Sequence, residues 1–260
     1  MEAYTDFASV YDELMDNTPY GQWCDNIVKV LGEYGINDGL VLDLGCGTGS
    51  LTQLLAAKGY DMIGVDYSEE MLNIACQKRE KSGCDILYLN QDMREFELYG
   101  TVRAIVSICD SINYLLEDED VVTCFKLVNN YLDPKGIFFF DFNTNYKYET
   151  IIGDRVIAET RDDCSFIWEN FYDPEEMMNE YDLTVFVREN EEVPDTFRRF
   201  QETHFQRGYT LEEMRRFIEE AGLVFLKAYD ADTLEEVTPQ SQRIYCVAQE
   251  SMKRTSNRSE

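Results

Sequence analysis

Residues Leu40 to Gly49 read LVLDLGCGTG, and this stretch decides the fold. Leu40 to Leu44 is a short, mostly apolar run halted by glycine, the pattern of a strand covered on both faces of a parallel sheet. Gly45, Gly47 and Gly49 follow in G-x-G-x-G spacing, and Leu51 to Ala57 then reads as a helix ended near Gly59. A glycine-rich loop between a strand and a helix lets the backbone approach a ligand closely, and it opens the first unit of a doubly wound α/β fold.

The same alternation runs outward in both directions. Gln22 to Tyr34 has helical apolar spacing, and Ser68 is a good N-cap for a helix over Glu69 to Lys81. Strands are predicted at Met62 to Val65, Ile86 to Leu89, Ala104 to Cys109 and Ile137 to Phe142. A helix over Asp118 to Leu132 and a turn over Asp133 to Gly136 precede the last of them. Strands alternating with helices pair in parallel and place ligands at their carboxyl ends. From Asn143 to Arg207 the period changes: Arg155 to Trp168, Met178 to Arg188 and Thr196 to Gln206 alternate as strands, predicting an inserted antiparallel sheet that could lie over the cleft. A helix over Thr210 to Ala221 and strands at Val224 to Tyr229 and Arg243 to Ala248 resume the main fold.

Composition narrows the function. The 51 acids outnumber the 23 bases of the 260 residues, a formal net charge of -28 that repels phosphate backbones and disfavours nucleic acid as a partner. Eight cysteines are scattered without a CxxC pair, and His204 is the one histidine. Neither a disulfide framework nor a zinc site has the spacing it needs, so reduced thiols and no metal are expected. No basic-then-apolar leader and no run long enough to span a bilayer is present, so a cytoplasmic protein without a membrane anchor is expected. Lys253 to Glu260 reads as a frayed tail.

Acids recur at or just past the predicted strand ends: Asp43, Asp66, Asp92, Asp110 and Asp141. Any one alone could be a cap or a turn residue, but together they would face one crevice. A dinucleotide site reads G-x-G-x-x-G and must hold a pyrophosphate, which several carboxylates would repel. S-adenosylmethionine has no phosphate, and carboxylates stabilise its sulfonium and ammonium.

Asp43-Leu-Gly-Cys-Gly-Thr-Gly49, then G-V-D-Y-S-E-E-M-L from Gly64 and Q-D-M from Gln91, together resemble the class I S-adenosylmethionine-dependent methyltransferases. The resemblance spans roughly residues 4–142. It implies a Rossmann-like, mostly parallel seven-stranded sheet, with residues 1–142 and 208–250 as the cofactor-binding domain. Residues 143–207 would be an inserted antiparallel lid or acceptor subdomain, and residues 251–260 a flexible tail. By the same resemblance Asp43, Gly45, Cys46, Gly47 and Gly49 cradle the methionine part and Asp66 accepts from the ribose hydroxyls. Tyr67 and Met71 flank the adenine, Gln91 and Asp92 lie at its edge with Asp92 taking the exocyclic amine, and Met93 packs on the ring. Cys109 and Asp110 lie under the methionine moiety.

Tyr4-x-x-Phe7-x-x-x-Tyr11-Asp12 is similar to small-molecule members, including N-methyltransferases of nucleotide-linked amino sugars, in which an N-terminal helix covers the cofactor. Tyr11 would then touch S-adenosylmethionine, the alternative being an aromatic stripe that packs this helix on the core. Asp110-Ser-Ile-Asn-Tyr114 departs from the N/D-P-P-Y/F motif of methylases acting on nucleic-acid bases and glutamine amides. Tyr114 stands where some sugar N-methyltransferases carry a histidine.

Methyl transfer needs positioning and exclusion of water more than a strong base. Tyr114, Asp141, Tyr172 and His204 could take a proton, and Tyr114 and His204 are the catalytic candidates. The leading expectation is transfer to an N or O atom of a small-molecule acceptor held by the insert. Methylation of RNA or protein, through a local patch such as Arg198, Arg199 and Arg207, and a catalytically silent S-adenosylmethionine-binding protein are the alternatives. The sequence carries no signal of oligomeric state.

Overall fold

The structure, a computed structural model, describes residues 7–189, 196–251 and 253. Tyr4 lies outside the described residues, as does all of the expected tail except Ser251 and Lys253.

In chain order the elements are α1 (Ala8–Leu14), α2 (Tyr20–Glu33), β1 (Gly39–Leu44), α3 (Ser50–Ala57), β2 (Tyr60–Asp66), α4 (Glu69–Ser82), β3 (Ile86–Asn90), β4 (Val102–Ser107), α5 (Asp118–Tyr131) and β5 (Leu132–Asn143). Then follow β6 (Val156–Thr160), β7 (Cys164–Asp173), β8 (Met178–Arg188), β9 (Phe197–Arg207), α6 (Leu211–Glu220), β10 (Leu223–Asp230) and β11 (Arg243–Glu250). One seven-stranded sheet runs β10-β11-β5-β4-β1-β2-β3, and a separate four-stranded sheet runs β6-β7-β8-β9. In the first, β1 to β5 pair in parallel while β11 is antiparallel to both β5 and β10. This is the expected α/β doubly wound architecture with an inserted antiparallel sheet.

The main sheet is held by burial on both faces. Phe138 and Phe140 of β5 pack on Phe125 of α5, while Phe139 faces the other way onto Tyr245. All four phenylalanines are fully buried. Truncating one such ring to alanine costs about 3–5 kcal/mol. Local signals agree with this packing: Ser68 accepts from Met71 N at 3.1 Å, and Thr210 and Glu213 form a reciprocal capping box at the start of α6.

Strand order reverses between β1 and β4, so the connections leave in opposite directions and open a crevice at the carboxyl ends. The chain exits the main sheet at Asn143 and returns at Tyr209, and a bridge between Thr144 and Tyr209 closes the neck of the insert. Asn113, fully buried, fixes that neck: its amide donates to Asn143 O (2.9 Å) and Arg207 O (2.7 Å), and its oxygen accepts from Asn143 N (2.8 Å).

Three expectations need correction. Asp133 to Gly136 is not a free turn but a bulge within β5, where Lys135 takes φ +64° and donates its N–H to Glu250 at 3.0 Å. Arg155 to Trp168 is not one strand: Arg161 N donates to Cys164 O at 2.7 Å, and the polar Arg161-Asp162-Asp163 segment turns the chain between β6 and β7. Lys253 does not fray, since its ammonium donates to Asn129 O (3.0 Å) and Asn130 O (2.6 Å) at the end of α5.

A third apolar cluster joins α1 to the inserted sheet through Val10, Leu14, Tyr181, Leu183 and Val185. Arg161 clamps Asp16 with two hydrogen bonds of 2.7 and 2.9 Å. Among the described residues no helix is long and apolar enough to cross a membrane.

Candidate active site

The crevice holds a cavity of about 370 Å³ built on the glycine loop. Gly45 N and Cys46 N both donate to Val65 O (2.8 and 3.0 Å), which pins the loop on β2. Gly45 sits at φ +79°, and a Cβ there would come within 2.6 Å of Ser111 Oγ, so the position requires glycine for shape as well as conformation. Gly49 has a different reason: its Cβ would strike the Tyr88 ring, and it does not line the cavity.

Two carboxylates define the floor. Asp66 accepts from Gly47 N at 2.7 Å and from Ser68 N at 2.9 Å, and burial pushes its carboxyl above the usual range. The carboxylate keeps lone-pair capacity for a further donor. Asp43 is buried, accepts from Thr52 Oγ1 at 2.6 Å, and is pushed up to about 7 by burial, with Asp66 adding to the rise. Asp92 lines the same cavity in a forked pair with Arg94 (3.0 and 2.6 Å), which holds its carboxyl below the usual range. Arg94 is the one cation among the described lining residues, and Asp92 and Asp120 (3.2 Å) both bind it. This set of acceptors suits a cationic nucleoside rather than a pyrophosphate.

Tyr11, Tyr67, Met71, Gln91, Met93 and Cys109 complete the expected lining. Tyr20, Thr48, Ser50, Ser68 and Ser111 line it as well, none of them expected from the sequence to line the site. Two of the hydroxyls share one network: Thr48 donates to Asp12 Oδ1 at 2.7 Å, and Lys78 donates to Ser50 at 2.8 Å while pairing with Asp12 at 2.5 Å. That network ties α1 to the glycine loop and to α4, so α1 covers the cavity.

Asp110 goes elsewhere. It lines a second cavity, of about 390 Å³, which meets the first at Tyr11 and Cys109, the two residues common to both walls. Cys109 (φ +63°) and Asp110 (φ +55°) are consecutive left-handed residues, a conformation that persists only where the surroundings impose it. The cause is Asp141, which accepts from Cys109 N (3.1 Å) and Asp110 N (2.9 Å) and binds Arg243 at 2.8 Å. Arg243 in turn binds Asp110 at 2.7 Å. Six further aromatic residues, Phe7, Trp23, Tyr148, Phe166, Trp168 and Tyr181, stand in the wall of the second cavity.

Tyr114 and His204, far apart in sequence, meet. Tyr114 lines the first cavity, and its hydroxyl lies 3.1 Å from His204 Nδ1 and 2.9 Å from the hydroxyl of Tyr181. His204 is buried and lines neither cavity; its Nε2 lies 3.3 Å from Glu202 Oε2, and Tyr181 stacks on its ring at 4.7 Å. Tyr172, the remaining proton-accepting candidate, packs on Tyr148 and lines neither cavity. Among the described residues no group of histidine, cysteine and acid side chains could hold a metal.

Comparison with known proteins agrees with this geometry. Residues 41–136 match a family described as a methyltransferase domain. A protein of Bacillus subtilis (strain 168) named as a methyltransferase, YqeM, is 39% identical over 249 residues, covering 95% of this chain and 97% of its own. A crystal structure of an S-adenosylmethionine-dependent methyltransferase from Clostridium acetobutylicum ATCC 824 superposes with a TM-score of 0.84 at 29% identity, covering 96% of this chain and all of that one. The sugar N-methyltransferase KedS8 from Streptoalloteichus sp. ATCC 53650 shares the fold, with a TM-score of 0.75 at 16% identity over 95% of this chain and 96% of its own. Acidic strand ends around a glycine cradle, and relatives aligned along nearly the whole chain, thus lead to one assignment: the chain belongs to the class I S-adenosylmethionine-dependent methyltransferases.

Proposed function

We propose that the chain methylates an N or O atom of a small molecule, with S-adenosylmethionine in the first cavity and the acceptor in the second. The observation that carries this reading is the meeting of two cavities of about 370 and 390 Å³ at Tyr11 and Cys109. When bound, S-adenosylmethionine supplies a methyl group on a sulfonium sulfur.

The residues divide the work. Gly45, Cys46 and Gly47 give the methionine part a close backbone surface, and Asp43 offers a carboxylate to its ammonium. Asp66 accepts from the ribose diol with its remaining lone pairs. Tyr67, Met71 and Met93 pack the base, with Gln91 and Asp92 at its edge. Tyr11, held through Asp12 and Lys78, closes the cleft and excludes water. Tyr181, which lines the second cavity, takes a proton from the acceptor and passes its own through the Tyr114 hydroxyl to His204, and Glu202 balances the resulting imidazolium. A second cavity of about 390 Å³ with several aromatic rings in its wall suits a small acceptor better than a macromolecular strand.

Relatives widen the acceptor chemistry without fixing it, since some are named as ubiquinone biosynthesis O-methyltransferases and some structural neighbours as sugar N-methyltransferases. The test is to supply S-adenosylmethionine labelled in its methyl carbon together with fractionated cell extract. Label entering the low-mass fraction supports the reading, and label entering RNA or protein alone contradicts it.

A further inference from the structure

The polar wall of the second cavity is a single hydrogen-bonded chain with one direction. Lys147 Nζ donates to Asn143 Oδ1 (2.9 Å), Asn143 Nδ2 to the Tyr148 hydroxyl (3.0 Å), that hydroxyl to Gln206 Oε1 (2.8 Å), and Gln206 Nε2 to Asp110 Oδ2 (2.7 Å). At the aspartate end both carboxylates are engaged. Asp110 and Asp141 share the Arg243 guanidinium, and Asp141 also accepts the two backbone amides of the Cys109–Asp110 turn.

The lysine end is open. An ammonium carries three donors and accepts nothing, and this one places a single donor on a neutral amide. No carboxylate among the described residues forms an ion pair with it, although Lys147 lines the cavity beside Phe166, Trp168 and Tyr181. Burial disfavours the charged form of Lys147 and Arg243 adds to this, while Asp110 and Asp141 oppose it without forming an ion pair, so an anion brought to the two remaining donors recovers part of that cost in a medium where charge pairs are strong. An incoming cation, by contrast, meets carboxylates already engaged by Arg243. The aromatic walls offer a planar body stacking surfaces and few polar partners.

We propose that the second cavity takes the methyl acceptor as a planar aromatic carboxylate, its carboxylate on the Lys147 ammonium and its ring system among Phe166, Trp168 and Tyr181. This rests on reading the second cavity as the acceptor site. The test titrates protein saturated with S-adenosylhomocysteine with 2-naphthoate and, separately, with its uncharged isostere 2-naphthamide, by calorimetry. The acid is expected to bind at least about tenfold more tightly than the amide, near 1.4 kcal/mol. Lys147→Met removes that preference, Lys147→Arg keeps part of it, and affinity for S-adenosylhomocysteine stays the same in both variants. Lys147→Gln replaces the methionine variant if the latter does not fold.

Equal binding of acid and amide overturns the proposal. So does absence of acid binding up to about 1 mM, or acid binding undiminished in Lys147→Met. Failure of S-adenosylhomocysteine itself to bind would count instead against the cofactor reading.

Discussion

The two cavities are nearly equal in volume and opposite in construction. Most of the first comes from short stretches of chain at strand ends: Asp43 to Leu51, Val65 to Met71 and Gln91 to Arg94. The second gathers α1, the end of β5, the insert and Arg243 of β11, and its key ion pair joins Asp110 to a residue 133 positions away. A pocket built from contiguous loops is fixed by local backbone conformation, whereas a pocket built from distant pieces depends on the packing that brings them together.

The strongest challenge to that contrast is Asp141, which serves both cavities. Asp141→Ala leaves Arg243 undercompensated and frees the strained Cys109–Asp110 turn, so a loss of about 3–5 kcal/mol in denaturant unfolding is expected, together with damage to both binding functions. Asp66→Ala acts on the first cavity alone. It is expected to weaken S-adenosylmethionine binding about 100-fold by calorimetry, near 2.7 kcal/mol, while ligands of the second cavity still bind. Asn113→Ala should act the other way round, loosening the neck of the insert at a cost of about 1–3 kcal/mol in unfolding with little change in cofactor affinity.

The smallest effect is on pH. Asp43, pushed up to about 7 by burial, sits above its unfolded value, so the folded protein without cofactor holds an extra proton between about pH 4 and 7 and this contribution to stability is lost as pH rises through that window. A cation bound beside Asp43 favours its ionised form. Binding is therefore expected to expel a proton, and affinity to fall by about fivefold from pH 7 to pH 6, read from calorimetry in buffers of different ionisation enthalpy.

The same contrast explains what could be read from the chain beforehand. The glycine loop, Asp66 with Ser68, and Asp92 with Met93 declare themselves because each motif is local and its chemistry follows from neighbours in sequence. Asp110 reads as one more acid at a strand end, yet its direction is set by Arg243 and Gln206, which only the folded chain brings near. Tyr114 and His204 are visible as residue types, but not as partners 90 positions apart. Lys147 has no local pattern at all. Asp133 to Gly136 misleads for the converse reason: its turn chemistry is real, but tertiary pairing with Glu250 absorbs it into β5 as a bulge.

The most direct test of the central claim is a crystal structure with S-adenosylhomocysteine bound. Two adjoining cavities for donor and acceptor require the ribose on Asp66 and the sulfur between Tyr11 and Cys109, facing the second cavity. A sulfur turned away from that boundary, or the nucleoside lodged among Phe166, Trp168 and Lys147, would contradict the account.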